Sequence, residues 1–291
     1  MRTVFSLLGY SKQAFHQKFK RQQQQLERHD LLMPVLKQLR QEHPGIAARE
    51  LYKILQPAQI GRDRFERLAF DNGLRLGNRR SVKRTTDSTG IIRFPNLVLG
   101  RKFTAINQAW ASDITYYEAG MSCYYLTFVV DLYSRKIVGY CSSERLLTEQ
   151  TTLPALRMAL ATRKPPPGLI FHSDGGGQYY HKAFLELTGS YQIKNSMCDM
   201  AYENPYAERV NGTIKNQYLC GYNPTSYRGL TKALNRAVYN YNNVRPHSSI
   251  NSLTPNAYEA AIAKRQAFIE TNDFCDGRSA TQQRQKNHSS Q

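Results

Sequence analysis

Three carboxylates stand in local sequences that could bring them to one metal-binding surface. Asp113 ends the apolar run 109–112, Asp174 follows the strand-like run 169–173, and Glu208 lies in a helix-like segment. Hard oxygen ligands of this kind are typical of Mg2+ and Mn2+ sites, and no cluster of His or Cys indicates zinc. The sequence therefore predicts one acidic site for divalent cations.

Such a site would serve phosphodiester chemistry. Two divalent ions roughly 3.5 to 4 Å apart can activate an attacking oxygen and stabilise the leaving oxygen, so that no covalent nucleophile is required. Two other acids also fit the pattern: Asp131 ends a second strand-like run, and Glu203 competes with Glu208. A strand-end aspartate is, besides, commonly a solvated cap. Spacing alone therefore leaves the choice among these acids open.

The segment around Glu208 is predicted to be a helix. Asn204 has the residue type of an N-cap, and Pro205 has that of the first helical position. Asn211 and Lys215, three and seven residues after Glu208, would then share its face. A carboxylate, an amide and an amine on one face suit a metal ion and a phosphate backbone together. Asn211 and Lys215 are therefore predicted DNA contacts.

Three glycines, 175–177, directly follow Asp174 and would let the backbone approach a substrate or ion closely. The side chains of Gln178, Tyr179 and Tyr180 come next, where they could meet nucleic acid. The alternative is a flexible turn without such a role.

The segment from about residue 105 is predicted to form a sheet. Three strand-like runs separated by turns at Gly120 and Ser134-Arg135 indicate an antiparallel meander, and helices and strands then alternate. The predicted strands are 109–117, 124–132, 136–141, 169–173 and 193–197, and the predicted helices between the later strands are 148–163 and 182–187. Strands followed by this alternation predict an α/β fold, a mixed sheet flanked by helices.

The charge balance indicates a polyanionic partner. The 291 residues include 40 Lys and Arg against 22 Asp and Glu, a formal charge of +18. Residues 1–100 hold 19 basic and 8 acidic residues, so +11 of this charge lies in the first third of the chain. A basic surface that only aids solubility is the alternative.

Residues 1–80 are predicted to be all helical. The predicted helices are 12–19 with Ser11 as N-cap, a segment from Asp30 to about 43, 47–55 and 62–72. A turn at Gly9 and the pairing of the last two helices resemble helix-turn-helix motifs, whose alternative is a plain bundle with a basic face. Because pattern and charge agree, this region is predicted to bind DNA.

Basic side chains in two places are predicted to contact DNA phosphates. They are Arg62, Arg64 and Arg67 in the last helix, and Arg79, Arg80, Lys83 and Arg84 in a polar run typical of a linker. The predicted organisation is a helical DNA-binding region 1–80, a basic linker 81–104, a catalytic core 105–225, a helical extension 226–265 and a polar, disordered tail 266–291.

Composition argues against two classes of protein. No apolar stretch approaches the roughly 20 residues that span a bilayer, and residues 1–10 lack a signal-peptide core. The cysteines lack CxxC spacing and a His partner pattern, which predicts reduced, mostly buried thiols of a cytoplasmic protein. They are Cys123, Cys141, Cys198, Cys220 and Cys275.

Four ordered blocks of the sequence carry a resemblance to a known family. The blocks are 110–116 (WASDITY), 171–179 (FHSDGGGQY), 207–215 (AERVNGTIK) and 241–249 (YNNVRPHSS) followed by Thr254-Pro255. They resemble bacterial insertion-sequence transposases with a retroviral-integrase-type DDE core, of the two-reading-frame type. The likeness extends to 131–135 (DLYSR) and Val138-Gly139 and covers nearly everything except the tail.

The resemblance implies a ribonuclease H-like core in which Asp113, Asp174 and Glu208 hold two Mg2+ or Mn2+ ions. It implies that Lys215 contacts DNA near the reacting phosphate and that Asp131 is structural. The expected enzyme is a DDE transposase that binds the terminal inverted repeats of its element as double-stranded DNA, frees 3′ hydroxyls and joins them to target DNA. A homo-oligomer on DNA, in the bacterial cytoplasm and at the nucleoid, is expected.

One departure from the family concerns the loop before Glu208. Between Asp174 and Glu208 stand 33 residues, two fewer than the family pattern usually has, and the shortening lies between Cys198 and Asn204. This shortening motivates one alternative, a catalytically silent DNA-binding regulator or domesticated transposase. A second alternative is a ribonuclease H-like nuclease that uses the same fold and metals without strand transfer. Family members are often made by frameshifting from an upstream frame that supplies another helix-turn-helix. Met1 therefore starts either a complete protein or its downstream half.

Overall fold

The sheet of the computed structural model has five strands in the order β3-β2-β1-β4-β5. The structure describes residues 11–58, 60–74, 76, 94–198 and 203–268, apart from the side chains of residues 25 and 28. The strands are β1 Ala109–Ala119, β2 Ser122–Asp131, β3 Ile137–Ser143, β4 Ile170–Ser173 and β5 Lys194–Met197. The first three form the predicted antiparallel meander, and β4 and β5 run parallel to β1. The predicted mixed sheet is thus confirmed.

Eight helices belong to the described part of the chain. They are α1 Lys12–Glu42, α2 Ala48–Leu55, α3 Arg62–Asp71, α4 Thr152–Arg163, α5 Lys182–Ser190, α6 Pro205–Gly212, α7 Tyr227–Asn243 and α8 at 255–268. α6 continues through a π-helical stretch, Thr213–Leu219, into the short turn Cys220–Tyr222. Short 3-10 turns occur at Gly177–Tyr179 and Ser248–Ile250. None of the described helices is long and apolar enough to cross a membrane.

The sheet packs against α4 through a continuous apolar core. Trp110 and Val129 are fully buried in this core, together with Leu156 of α4. Gly139 allows the close approach of α4 to β3, because a Cβ at this position would lie 2.1 Å from the carbonyl oxygen of Ala155. Burial of each large apolar side chain contributes roughly 1.5 to 3 kcal/mol. This core fixes β1, in the middle of which Asp113 lies, and β4, which Asp174 directly follows.

The chain divides into two compact units, one with α1 to α3 and residues 216–222, the other with the sheet and the remaining helices. In the first unit Leu36, Leu51 and Phe65 are fully buried. His43 Nδ1 lies 3.1 Å from the hydroxyl oxygen of Tyr218, which is also fully buried. The helical character predicted for the first part of the chain is confirmed for its described residues. The five predicted segment boundaries stay predictions.

One prediction in the first unit is wrong, because a single helix replaces the two expected before residue 45. Ser11 is its N-cap and accepts a hydrogen bond from the backbone N–H of Ala14, 3.1 Å away. Asp30 lies in the middle of the helix and caps nothing. The stretch 21–29 is rich in Gln, Leu, Arg and Glu, which favour helices, so nothing interrupts it there. Pro34 is accommodated within the same helix.

Several predicted features lie outside the described residues. They are the Gly9 turn, Arg79, Arg80, Lys83, Arg84, most of the linker, loop residues 199–202 and nearly all of the tail. The burial predicted for the cysteines is mostly wrong: of the four described, all free thiols, only Cys198 is buried, while Cys123 and Cys220 are exposed.

Candidate active site

Asp113 and Asp174 stand at neighbouring positions of adjacent parallel strands. β1 and β4 pair through Ala111 and His172, and continuing this register by two places brings Asp113 opposite Asp174. Neighbouring strands are about 4.8 Å apart. Asp174 directly follows the last residue of β4, so both acids lie at the carboxyl end of that strand. The fold therefore brings together the two aspartates that the sequence singled out.

The charges of both aspartates raise the pKa values of two nearby groups, Tyr179 and Cys198. Burial raises the pKa of Tyr179 well above its ordinary value, and the charges of Asp174 and Asp113 raise it further. Burial and Asp174, together with other nearby acids, raise the pKa of Cys198 to about 12. The Tyr179 hydroxyl lies 2.9 Å from Ser112 Oγ in the core. The expectation that Tyr179 meets nucleic acid is therefore wrong, because its ring packs inside the protein.

The Asp174 carboxylate is oriented by the glycine turn that follows it. The backbone N–H of Gly176 donates a hydrogen bond of 3.1 Å to Asp174 Oδ1. Burial raises the pKa of the Asp174 carboxyl, and the bond from Gly176 opposes that rise. A buried carboxylate is costly unless a positive charge accompanies it. This position is therefore suited to a cation.

Helix α6 docks onto β1 through two asparagine side chains. Asn211 Nδ2 donates a hydrogen bond of 2.7 Å to Asp113 Oδ2, and Asn204 Nδ2 donates one of 2.9 Å to the Ser112 carbonyl. Asn204 occupies the predicted N-cap position, but its side chain makes no capping bond and contacts β1 instead. Glu208 lies between the two asparagines at helical spacing and in the first turn, as expected. The face that carries Glu208 is thus directed to the Asp113 end of β1.

Lys215 contacts the same strand, β1, at Thr115, two residues beyond Asp113. Its Nζ donates a hydrogen bond of 3.0 Å to Thr115 Oγ1 and lies 4.6 Å from the ring centroid of Tyr116. The residue belongs to the π-helical stretch that continues α6, and such stretches are frequent at functional sites. The ammonium group of Lys215 is therefore held on β1 near Asp113, and its contact with a DNA phosphate stays a prediction.

The donor groups fit a hard cation, although their present arrangement is not that of a formed metal site. Within the described ranges, no group of three His, Cys, Asp or Glu side chains is close enough to hold a metal ion. Asp113 instead accepts from Asn211, whose own Oδ1 is buried without a hydrogen-bond partner in that part of the chain. Carboxylate and amide oxygens are ligands that Mg2+ takes. The metal roles of Asp113, Asp174 and Glu208 stay predictions.

The two competing acids have other partners. Asp131 is fully buried and accepts hydrogen bonds from the backbone N–H groups of Asn107, Tyr133 and Ser134, at 2.7, 3.0 and 2.8 Å. Glu203 Oε2 accepts a bond of 3.1 Å from Asn96 Nδ2. Asp131 thus has the structural surroundings that the resemblance implied.

The predicted arginines of α3 differ in their surroundings. Arg62 lies 2.9 Å from Asp63 and 3.7 Å from Glu66, and the hydrogen bond and charge of Asp63 raise its pKa. Arg64 and Arg67 are exposed on the opposite side from the buried Phe65, Leu68 and Ala69. The last two arginines are therefore the more available to a polyanion.

Sequence reasoning missed the roles of three residues at the site: Ser112 and Asn96 were not singled out, and Tyr179 was expected to meet nucleic acid. Ser112 and Tyr179 pair in the core beside both aspartates, and Asn96 contacts Glu203. For Ser112, the strand alternation next to Asp113 was the available signal. Asn96 gave none, because its partner lies 107 residues away.

Known protein families match this chain over the sheet and the helices that follow it. Two family profiles, both described as integrase core domain, match residues 104–202 and 190–255. One solved structure, the integrase catalytic core domain of HTLV-2 in complex with magnesium, is 26% identical and covers 52% of this chain and 95% of its own, with a TM-score of 0.44.

Two relatives come from insertion sequences. The 31 kDa protein of insertion element IS600 from Shigella sonnei is 33% identical over 204 residues, which cover 68% of this chain and 75% of that protein. Transposase InsF of insertion sequence IS3A from Escherichia coli is 34% identical over 157 residues, which cover 53% of this chain and about half, 54%, of the transposase. The ribonuclease H-like fold expected for the core agrees with the strand order and with the matched profiles. The chain therefore belongs to the bacterial insertion-sequence transposases with an integrase-like core.

Proposed function

We propose that this chain is a metal-dependent DDE transposase that cleaves phosphodiester bonds at the ends of its element and joins the 3′ hydroxyls to target DNA. The observation that carries the proposal is the arrangement of Asp113 opposite Asp174, with the Glu208 face of α6 held on β1 by Asn211. Three acids from three adjacent elements are the donor set for two-metal phosphoryl transfer.

The residues of the site would hold and neutralise the reacting groups. Asp113, Asp174 and Glu208 would bind one or two Mg2+ or Mn2+ ions, which activate the attacking oxygen and stabilise the leaving oxygen. The bonds from Asn211 to Asp113 and from Gly176 to Asp174 orient these two carboxylates. Preorganised ligands of this kind lose little freedom when a cation binds.

Lys215 is proposed to bind the DNA phosphate next to the scissile bond. Its ammonium group donates to Thr115, two residues from Asp113 on β1, and lies over the ring of Tyr116. Asn211 is proposed to act in the same place, chiefly by orienting Asp113. Phosphate contacts of this kind position the duplex and carry no sequence information.

Recognition of the element ends is proposed for the helical first unit. Arg64 and Arg67 project from α3 into solvent, and Arg62 would have to exchange its ion pair with Asp63 for a phosphate. Arg79, Arg80, Lys83 and Arg84 of the linker add four positive charges next to this helix in the sequence. We further infer a homo-oligomer on double-stranded DNA, acting in the cytoplasm at the nucleoid.

The test is a cleavage and joining assay with labelled DNA carrying the inverted repeats of the element and a supercoiled target. We expect nicked ends and joined products in Mg2+ and Mn2+ and none with EDTA. Asp174→Asn should abolish both products while leaving DNA binding intact. Glu186→Gln is the matched control, since Glu186 is an exposed carboxylate paired only loosely with Lys182, 3.8 Å away. Equal activity of Asp174→Asn and the unaltered protein would exclude the proposal.

A regulator that binds DNA without catalysis is the second candidate. The shortened loop before Glu208 is the observation that favours it. Such a protein would bind the same labelled ends and give no products in either metal ion. Hydrolysis without joined strands would instead indicate a nuclease.

A further inference from the structure

The segment 94–98, which precedes β1, contacts both ends of the connection between β5 and α6. The backbone N–H of Leu97 donates a hydrogen bond of 2.8 Å to Ser196 Oγ in β5. Asn96 Nδ2 donates one of 3.1 Å to Glu203 Oε2, just before α6. This is the connection that is shorter than in the family. One short segment thus joins its beginning and its end.

The amide group of Asn96 has only one useful orientation. Its Oδ1 accepts hydrogen bonds from the backbone N–H groups of Val98 and Leu99, at 3.1 and 3.0 Å, and forms a tight local turn. Its Nδ2 is therefore directed to Glu203. Rotating the amide by half a turn would replace all three bonds with unfavourable contacts, so the local turn fixes the long-range bond.

The two contacts lead to two of the three predicted metal ligands. Ser196 Oγ also lies 2.9 Å from Nδ1 of His172, two residues before Asp174 in β4. Glu203 directly precedes Asn204, which donates to β1 and whose carbonyl accepts a bond of 3.2 Å from the N–H of Glu208. The start of α6 is consequently held from one side by β1 and from the other by segment 94–98.

We propose that Asn96 and Glu203 are positioning residues for Glu208, and that their hydrogen bond sets where the first turn of α6 lies. The proposal rests on the proposed function in taking Glu208 as a metal ligand. It gives Glu203 a role distinct from that of Glu208, since its carboxylate holds the helix start rather than a cation. It also explains how a shortened connection can keep a defined helix start: both of its ends are fixed by the same segment.

Four variants test the bond without removing the local turn. Asn96→Asp keeps an oxygen for Val98 and Leu99 but places a second carboxylate oxygen against Glu203. Glu203→Gln keeps an oxygen that can accept from Asn96. The double variant N96D/E203Q restores a donor and acceptor pair in the reverse direction. Glu203→Ala removes the contact from the other side, so the test survives if Asn96→Asp fails to fold.

The first readout is backbone amide hydrogen exchange of residues 205–212, followed by mass spectrometry without metal or DNA. We expect exchange about tenfold faster in Asn96→Asp and Glu203→Ala, and near the unaltered rate in Glu203→Gln and in the double variant. Unchanged exchange in both disrupting variants, or a double variant no slower than Asn96→Asp, would overturn the proposal.

The second readout is Mn2+ affinity, measured by the electron paramagnetic resonance signal of the free ion. Loss of the bond should weaken binding about tenfold, at the low end of what supporting residues of metal sites contribute, and the double variant should restore it. Asn243→Asp is the matched control: the same change in the same unit, at an exposed residue whose oxygen accepts from Asn256. It should alter neither readout.

The two readouts separate this inference from the proposed function. If the unaltered protein binds no Mn2+ and joins no DNA, the proposed function fails, while hydrogen exchange still decides whether the bond positions α6. If the protein is active and the exchange rate of residues 205–212 is the same with and without the Asn96–Glu203 bond, only the positioning role fails.

Discussion

Asp131 and Asp113 lie on neighbouring strands of one sheet, yet their surroundings are opposite. Asp131 is fully buried and accepts three backbone N–H groups and the Ser134 hydroxyl. Asp113 is half-buried and accepts from the side chain of Asn211, with another acid, Asp174, at the next position across the sheet. The fold surrounds Asp131 with hydrogen-bond donors, whereas it places a second carboxylate, Asp174, opposite Asp113.

The residues around Asp131 continue into a network of hydrogen bonds and ion pairs. Asn107, whose N–H bonds Asp131, accepts at its side-chain oxygen from Arg163 Nε at 2.9 Å. Arg163 in turn makes two bonds of 2.8 Å to the carboxylate of Glu259 in α8, and Lys136 lies 3.1 Å from the same group. We call Asp131 and these four residues, Asn107, Arg163, Glu259 and Lys136, the braced corner.

The pKa directions express the same contrast. Burial alone would raise the pKa of Glu259, but the hydrogen bond and charge of Arg163 outweigh it and lower that pKa. At Asp174 burial wins and the pKa is raised. Glu259 is thus stabilised in its charged form by neighbouring cations, whereas the hydrogen bond from Gly176 does not outweigh the effect of burial on Asp174.

The largest effect should come from Asp174→Asn, which tests the acidic end of the comparison. We expect strand joining to fall about 1000-fold or more, because the substitution removes a proposed metal ligand. Stability should stay the same or rise at pH 7: a raised pKa means that the folded state resists ionisation, and Asn removes that cost. Joining assays and thermal unfolding without metal measure the two effects. A clear fall in melting temperature would contradict the contrast with the braced corner.

The same substitution at Asp131 should have the opposite signature. In Asp131→Asn the new amide nitrogen faces N–H donors, so at least one of the bonds from Asn107 or Ser134 is lost in the buried core. We expect the free energy of unfolding to fall by about 3 kcal/mol, measured by urea denaturation. Joining should fall only as far as the folded fraction falls. A stable but inactive protein would show that Asp131 serves the chemistry directly.

The sequence predicted the strands and their meander because each depends on local pattern. Alternating apolar residues and the turn residues Gly120 and Arg135, both with left-handed backbone, define β1 to β3 within a few residues. The helix start predicted at Asp30 was wrong, because a continuous run of helix formers extends through it. The start predicted at Asn204 is confirmed, although the Asn204 side chain bonds the Ser112 carbonyl instead of capping the helix.

The choice among the acids could not be made from local pattern. Asp131 accepts bonds from Tyr133 and Ser134, which are close in the sequence, but also from Asn107, 24 residues away. The partner of Glu203, Asn96, lies 107 residues away, and nothing near Glu203 in the sequence indicates it. By contrast, the helical spacing of Glu208, Asn211 and Lys215 correctly indicated one face, since Asn211 and Lys215 contact Asp113 and Thr115 on β1.

A third prediction concerns His247, a largely buried side chain whose pKa is shifted by two arginines and by no acidic group among the described residues. Burial and the charges of Arg245 and Arg135 lower its pKa to about 4, against a bond to the Tyr241 carbonyl. Below pH 6.5 His247 is protonated in the unfolded chain but stays neutral in the folded chain until the pH falls to about 4. The contribution of His247 to the free energy of unfolding is therefore fully present above pH 6.5 and is lost as the pH falls towards 4.

At pH 5 this loss should reach about 2 kcal/mol relative to pH 7. His247→Gln keeps an N–H donor for the Tyr241 carbonyl and cannot titrate, so its pH dependence should be smaller by that amount. Urea denaturation of both proteins between pH 7 and 4.5 measures the difference. Parallel curves would show that His247 is solvated enough to ionise in the folded state.

The smallest expected effect comes from Glu259→Gln, which weakens the braced corner at its outer side. Gln can still accept one bond from Arg163, whose side chain is 11% exposed, but leaves Arg163 and Lys136 without a counter-charge. Burial makes this pair matter more than a surface one, and we expect a loss of about 1.5 kcal/mol. Glu66→Gln is the matched control, because Glu66 pairs with Arg49 at 3.5 Å on the surface, where Arg49 is 62% exposed. Its loss should be about 0.5 kcal/mol or less and should vanish in 1 M salt, whereas the loss in Glu259→Gln should persist. Equal losses in the two variants would mean that the braced corner is held by Asp131 and its backbone donors alone.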